Sequence, residues 1–296
     1  MRGTPVAMSA SVSPASGLTA SLDSRLMQAP QRSPMEIDEI RFQLRHINTA
    51  VNTGSMGGGI LRARFKLGRL DLTNDYVPIW NLSDRVNLLR EAITGAADIV
   101  VTGNAHYSYY RWKFPYPLYV PGSMPLHGSI QRVSTYDADQ TALDSAATVR
   151  VFVTYVGRIL KKGIPVPTRI RVPYATGWVS TTPLISDEIS LRNVLSSPLH
   201  VTRFTGHIQN GSGSTLRDDA FPDIAAGFNT MRIYDTSGRT IANTAGIRNV
   251  IDPNTAGWSM NATLAPGEGY RVQLSDAPSA TYRPMFALLG WRWEDL

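Results

Sequence analysis

The chain has 296 residues, 43% hydrophobic and 18% charged, with no cysteine and a formal net charge of +6. That length suits one large β domain or two of medium size, and the lack of cysteine excludes disulfide scaffolds, thiolate metal centres, iron–sulfur clusters and a cysteine nucleophile. No run approaches the roughly 18 consecutive apolar residues of a membrane-spanning helix, and residues 1–34 lack the apolar stretch of a secretory signal.

Residues 1–34 are Ser- and Ala-rich, with Pro5, Pro14, Pro30 and Pro34 scattered through them. They read as an extended arm, either ordered against a neighbouring subunit or without fixed structure. From residue 36 onward the hydrophobic period is mostly two, as in half-buried strands. Ile40, Phe42 and Leu44 alternate with Arg41, Gln43 and Arg45. In Leu61–Leu67, Leu61, Ala63, Phe65 and Leu67 share one face, while Arg62, Arg64 and Lys66 share the other. A helix is expected over Asn81–Ala92, capped by Ser83 with Asp84 beside it and stopped at Gly95. Further strands are expected at Ile99–Thr102, His106–Trp112, Ser129–Ser134 and Thr148–Leu160.

Residues 161–168, Lys-Lys-Gly-Ile-Pro-Val-Pro-Thr, interrupt this pattern and mark a linker between a unit at 35–160 and one at 169–296. The second unit is expected to carry strands at Arg169–Pro173, Leu199–Gln209, Thr230–Asp235, Arg239–Asn243, Trp258–Leu264, Tyr270–Ser275 and Tyr282–Glu294. Tight turns fall at residues 236–238 and 266–269. Short strands with turn signals and little helix give an all-β chain of two tandem jelly-roll or β-sandwich domains, with the arm in front and one short helix. Each half closes on a similar strand, Phe152 to Gly157 and Arg158 in the first, Phe286 to Gly290 and Arg292 in the second, which suggests a duplicated topology.

Signals for chemistry are weak. His46, His106, His127, His200 and His207 form no pair at metal-ligand spacing. The glycine runs near Gly57 and Gly211 lack the strand-before, helix-after setting of a phosphate cradle. Carboxylate pairs of the kind glycosidases use (Asp137 with Asp139, Asp187 with Glu188, Asp218 with Asp219, Glu294 with Asp295) all fall in apparent loops or near the terminus. No catalytic residue, metal ligand or cofactor is therefore expected.

Two features remain as contact surfaces. The run Tyr107–Tyr119 mixes aromatics with Arg111 and Lys113, a composition shared by interface hot spots, packed cores and single-strand nucleic-acid platforms. Tyr109, Trp112, Phe114 and Tyr116 are the expected subunit-interface residues. The cations deserve the same scrutiny: of 29 basic residues only Lys66, Lys113, Lys161 and Lys162 are lysine, and residues 41–70 hold no acid at all. Arg62, Arg64 and Lys66 are the expected basic contact face, toward an acidic neighbour, an anionic lipid or a nucleic acid, the alternative being a solvated strand face that discourages edge pairing. Nothing points to sequence-specific nucleic-acid binding.

The passage Ile60–Asn81, with its Leu-Gly-Arg-Leu-Asp-Leu-Thr-Asn-Asp run, and the terminal Leu289-Gly-Trp-Arg-Trp-Glu resemble the double jelly-roll major capsid proteins of tailless, membrane-containing icosahedral bacteriophages, of tectivirus and corticovirus type. The resemblance implies a virion protein with two jelly rolls standing perpendicular to the shell. It implies a pseudo-hexagonal homotrimer that tiles an icosahedral capsid, and an arm that clamps neighbours or faces an internal lipid membrane. Its partners would be its own copies, vertex or minor capsid proteins and that membrane. A viral spike or receptor-binding protein with two β-sandwich domains is the alternative, followed by a carbohydrate-active β-sandwich enzyme.

Overall fold

The computed structural model describes residues 3–15, 19–22, 33–47, 61–84, 105–132, 148–161, 163–179, 188–212, 215–217, 230–246, 257–275 and 282–296. In chain order the first unit contains β1 (Gly3–Val12), β2 (Thr19–Ser21), β3 (Met35–Ile47), β4 (Leu61–Leu67), β5 (Leu70–Asp71), β6 (Val77–Pro78), α1 (Ile79–Leu82), β7 (Ala105–Val120), β8 (Leu126–Arg132) and β9 (Thr148–Leu160). The second contains β10 (Arg169–Val179), β11 (Glu188–Arg192), β12 (Leu199–Ser212), β13 (Thr215–Arg217), β14 (Thr230–Asp235), β15 (Thr240–Gly246), β16 (Gly257–Leu264), β17 (Gly269–Ser275) and β18 (Tyr282–Asp295).

Each unit is a pair of antiparallel sheets. The first has the orders β1-β9-β3-β7 and β2-β8-β4-β5, with β6 also on β4. The second has β10-β18-β12, with β16 and β13 also on β12, and β11-β17-β14-β15. Taken in chain order, β1, β9, β3 and β7 correspond to β10, β18, β12 and β16, and β2, β8, β4 and β5 to β11, β17, β14 and β15. Two sheets wound this way are a jelly roll, and the chain is a tandem pair of them.

The duplication reaches individual positions. β3 is bulged between Ile37 and Glu39, and β12 between Val201 and Arg203. Opposite each bulge lies a glycine: Gly157 of β9 pairs with Ile37, and Gly290 of β18 with Val201. A Cβ on Gly157 would run into the Glu36 carbonyl oxygen, and one on Gly290 into that of His200. Close backbone approach therefore requires glycine at both places. One residue before the partner of each glycine on the outer strand stands a proline, Pro5 on β1 and Pro173 on β10. The two closing strands thus correspond through their glycines, not through Phe152 and Phe286.

Alternation builds the cores. In β4 the residues Leu61, Ala63, Phe65 and Leu67 are fully buried, and Phe65 packs on Phe42, Trp112 and Tyr155 at ring distances of 5.9, 6.1 and 6.2 Å. In the second unit Phe204 stacks on Phe286 at 5.5 Å among Leu199, Val201, Ile233 and Val272. The first core does not end at its own sheets, because Ile170, Val172, Ala175, Ala287 and Leu289 of the second unit join it.

Two expectations are corrected. Within the expected arm, Gly3–Val12 and Thr19–Ser21 do not stand outside the first jelly roll. β1 pairs with β9 along ten residues from Gly3 to Val12, and β2 pairs with β8, so the unit begins at Gly3 and not at residue 35. Its inward side chains, Met8 and Ala10, alternate with exposed Ala7, Ser9 and Ser11, an alternation too weakly hydrophobic to register as a strand. The start of the expected helix is also corrected. α1 covers only Ile79–Leu82, and Ser83 follows its last residue in extended conformation, donating its hydroxyl to the Ile79 carbonyl at 2.9 Å. Ser83 ends this turn, with its hydroxyl spent on the Ile79 carbonyl. Residues 85–92, like Ile99–Thr102, lie outside the described residues.

Candidate assembly surfaces

The basic face of β4 is built as the alternation implies, with Arg62, Arg64 and Lys66 half-buried on the side away from the core. The hairpin to β5 brings Asp71 beside them, 3.5 Å from Arg64 and 3.1 Å from Lys66. The row is therefore not acid-free in space. An acid one residue beyond the basic stretch in sequence is folded back onto it, leaving two paired cations to one carboxylate and Arg62 further along the strand.

β7 separates the four aromatic candidates. Trp112 and Phe114 point inward, only 3% and 5% exposed, with their rings 5.0 Å apart and nearly perpendicular. They belong to the first core and offer no surface to another subunit, which corrects that expectation. The physical reason is parity: Tyr110, Trp112 and Phe114 share the face that closes over Phe65 and Trp80. Tyr109 and Tyr116 lie outside, 44% and 38% exposed. The Tyr109 hydroxyl accepts a hydrogen bond from Gln43 at 3.0 Å. Tyr116 is covered on one side by the second unit, where the Arg171 guanidinium sits 3.9 Å from its ring centre and Trp291 meets it edge-on at 5.1 Å. Arg171 also lies over Trp293, and His200 stacks on Trp291 at 4.1 Å.

This cluster is one end of a joint that sequence reading missed. The segment after β5 reaches across to the second unit. Thr73 forms a parallel bridge with Ala175 of β10. The Ala175 amide donates to the Leu72 carbonyl at 2.9 Å, and the Asn74 amide donates to the Ala175 carbonyl at 3.0 Å. The Asn74 side chain continues the ladder, its Oδ1 accepting from the Gly177 amide at 3.0 Å and its Nδ2 donating to the Gly177 carbonyl at 3.5 Å. Fully buried Asn81 donates to the Met285 carbonyl at 3.0 Å, and its own carbonyl accepts from Thr205 at 2.9 Å. Arg111 grips Asp84 through both carboxylate oxygens at 2.9 and 2.6 Å, while Arg203 donates to the Asp84 carbonyl. The hydrogen bonding to the Asp84 carboxylate, more than any other influence, holds the Arg111 guanidinium above its ordinary pKa. The only sequence signal for the joint was the Thr-Asn-Asp run at 73–75.

No arrangement for acid–base or metal chemistry is visible among the described residues. No group of three His, Asp or Glu there could hold a metal ion. The described members of the carboxylate pairs each face an arginine: Glu188 lies 3.1 Å from Arg271, Asp295 3.7 Å from Arg169, and Glu294 binds Arg292. Asp137, Asp139, Asp187, Asp218 and Asp219 lie outside the described residues.

No protein-family model matches the chain, and no curated protein does. Among solved structures it is similar to the STIV major capsid protein, with 9% sequence identity and a TM-score of 0.56 over 97% of this chain and 96% of that one. The Faustovirus major capsid protein follows with 8% identity and a TM-score of 0.48 over 99% and 91%. The major capsid protein P2 of bacteriophage PM2 has 9% identity and a TM-score of 0.46 over 98% of each chain. At such identities the likeness is one of fold, and that fold is the tandem jelly roll.

Proposed function

We propose that the chain is a major capsid subunit, a virion protein whose work is mechanical. One observation carries the reading. Two jelly rolls of identical strand order stand side by side in one chain, and the pair spans nearly the whole length of the STIV protein it resembles in fold. Three such chains supply six barrels, which suits a hexagonally tiled shell. Exposed Tyr109 and the Arg62, Arg64 and Lys66 face are the contacts toward neighbouring subunits, vertex or minor capsid proteins, or an internal membrane. Trimer formation is the test. Native mass measurement should give three times the 32.5 kDa chain mass, and negative-stain images should show a hexagonal outline. A monomer at all concentrations overturns the proposal.

A further inference from the structure

Ala175 of β10 is completely buried, because residues 72–74 close the free edge of that strand. Its counterpart in the first unit is Ala7 of β1. Each pairs with the residue before the landmark glycine, Ala7 with Val156 and Ala175 with Leu289. Ser9 likewise corresponds to Gly177, pairing with Thr154 as Gly177 pairs with Ala287. Yet β1 stands at the end of its sheet, and nothing among the described residues pairs with its outer edge. Ala7 and Ser9 are exposed, and Gly3–Val12 carries no charged side chain. A ten-residue uncharged edge is a template for another strand, and proteins that leave edges open usually protect them with charge.

Among the described residues, nothing in the chain closes this edge. Its second unit packs on the β7 side of the sheet β1-β9-β3-β7, whereas β1 is at the opposite end. On the proposed-function reading, with several copies assembled, we infer that the outer edge of β1 around Ala7 and Ser9 receives residues 242–244, the middle of β15, from a second copy. This segment follows the β14–β15 turn as residues 72–74 follow the β4–β5 turn, and each turn contains a glycine at positive φ, Gly238 at +87° and Gly68 at +56°. The contact between units within one chain is thereby repeated between chains. It is heterologous, head to tail, and closes as a ring of three copies when each unit-to-unit step turns one sixth of a circle.

The absence of native cysteine makes a disulfide test clean. Full-length chains carrying Ala7→Cys together with Ala242→Cys, Asn243→Cys or Thr244→Cys would be oxidised, run without reductant and weighed under native conditions. Thr73→Cys with Ala175→Cys serves as the intrachain reference. In at least one register a covalent trimer should be the main species, collapsing to monomer with reductant, while the reference pair links within one chain. A native trimer that yields only monomer bands in all three registers overturns the edge contact and leaves the trimer standing. A covalent dimer with no trimer overturns the head-to-tail geometry. A native monomer overturns both this inference and the capsid reading.

Discussion

At the scale of single residues, burial and parity decide what each aromatic does. Trp112→Ala should destabilise the protein by about 3–5 kcal/mol, the usual result of deleting a large buried aromatic. Arg64→Ala, which removes a half-exposed partner of Asp71, should change stability by less than about 1 kcal/mol. Chemical denaturation of both variants checks the contrast, and equal effects would contradict the assignment of Trp112 to the core. Tyr155 is fully buried, and its hydroxyl has no hydrogen-bond partner among the described residues. Burial raises its pKa, and burial also pushes Tyr174 up to about 12. Both groups bind their proton more tightly folded than unfolded. The stability they contribute is complete below the ordinary tyrosine value near 10 and is lost as pH rises through the folded values. Thermal melts should therefore fall steadily above about pH 10. Tyr155→Phe should leave the neutral-pH melt unchanged or higher, since it removes an unpaired buried hydroxyl, and should soften the alkaline decline.

At the scale of elements, β1 is the most informative strand. An arm outside the barrel could be removed without harm to the fold. A strand hydrogen-bonded along ten residues to β9, with Met8 and Ala10 in the core, cannot. Deleting residues 1–15 should expose the β9 edge and the side chains beneath it. The expected result is a melting temperature at least several degrees lower, or an insoluble product, and an unchanged melt would argue against this pairing. The same element shows why composition misleads at sheet edges. Ala, Ser and Met at alternating positions satisfy a pleat covered on one face, yet they resemble the composition of a flexible tail.

At the scale of the whole molecule, the two jelly rolls share buried surface. Ile170, Val172, Ala175, Ala287 and Leu289 belong to a core otherwise built by the first unit, and buried Asn81 and Thr205 bond across the joint. The halves should consequently unfold together, giving one calorimetric transition whose van't Hoff and calorimetric enthalpies agree. Two resolved transitions would mean the joint is weaker than its burial implies. Asn81→Ala would leave the Met285 carbonyl buried without that donor, at a cost of about 1–3 kcal/mol, and should lower the shared transition without splitting it.

What the sequence by itself determined was local. The period-two pattern from residue 36 onward, the dry face and basic face of β4 and the turn at 236–238 all follow from alternation and turn chemistry within a few neighbouring residues. What only the tertiary structure decided depended on partners distant in the chain. Residues 3–12 became a strand because β9, some 140 residues on, supplies the hydrogen bonds. Trp112 and Tyr109 parted because the sheet has one covered face, which a string of aromatics does not disclose. Asn74 and Asn81 became structural because each meets backbone groups that lie exposed only at the meeting of two barrels. Backbone pairing and burial are properties of the assembled surface, so a residue's neighbours in space, not its type, settle whether it supports the core, seals a joint or waits for another copy.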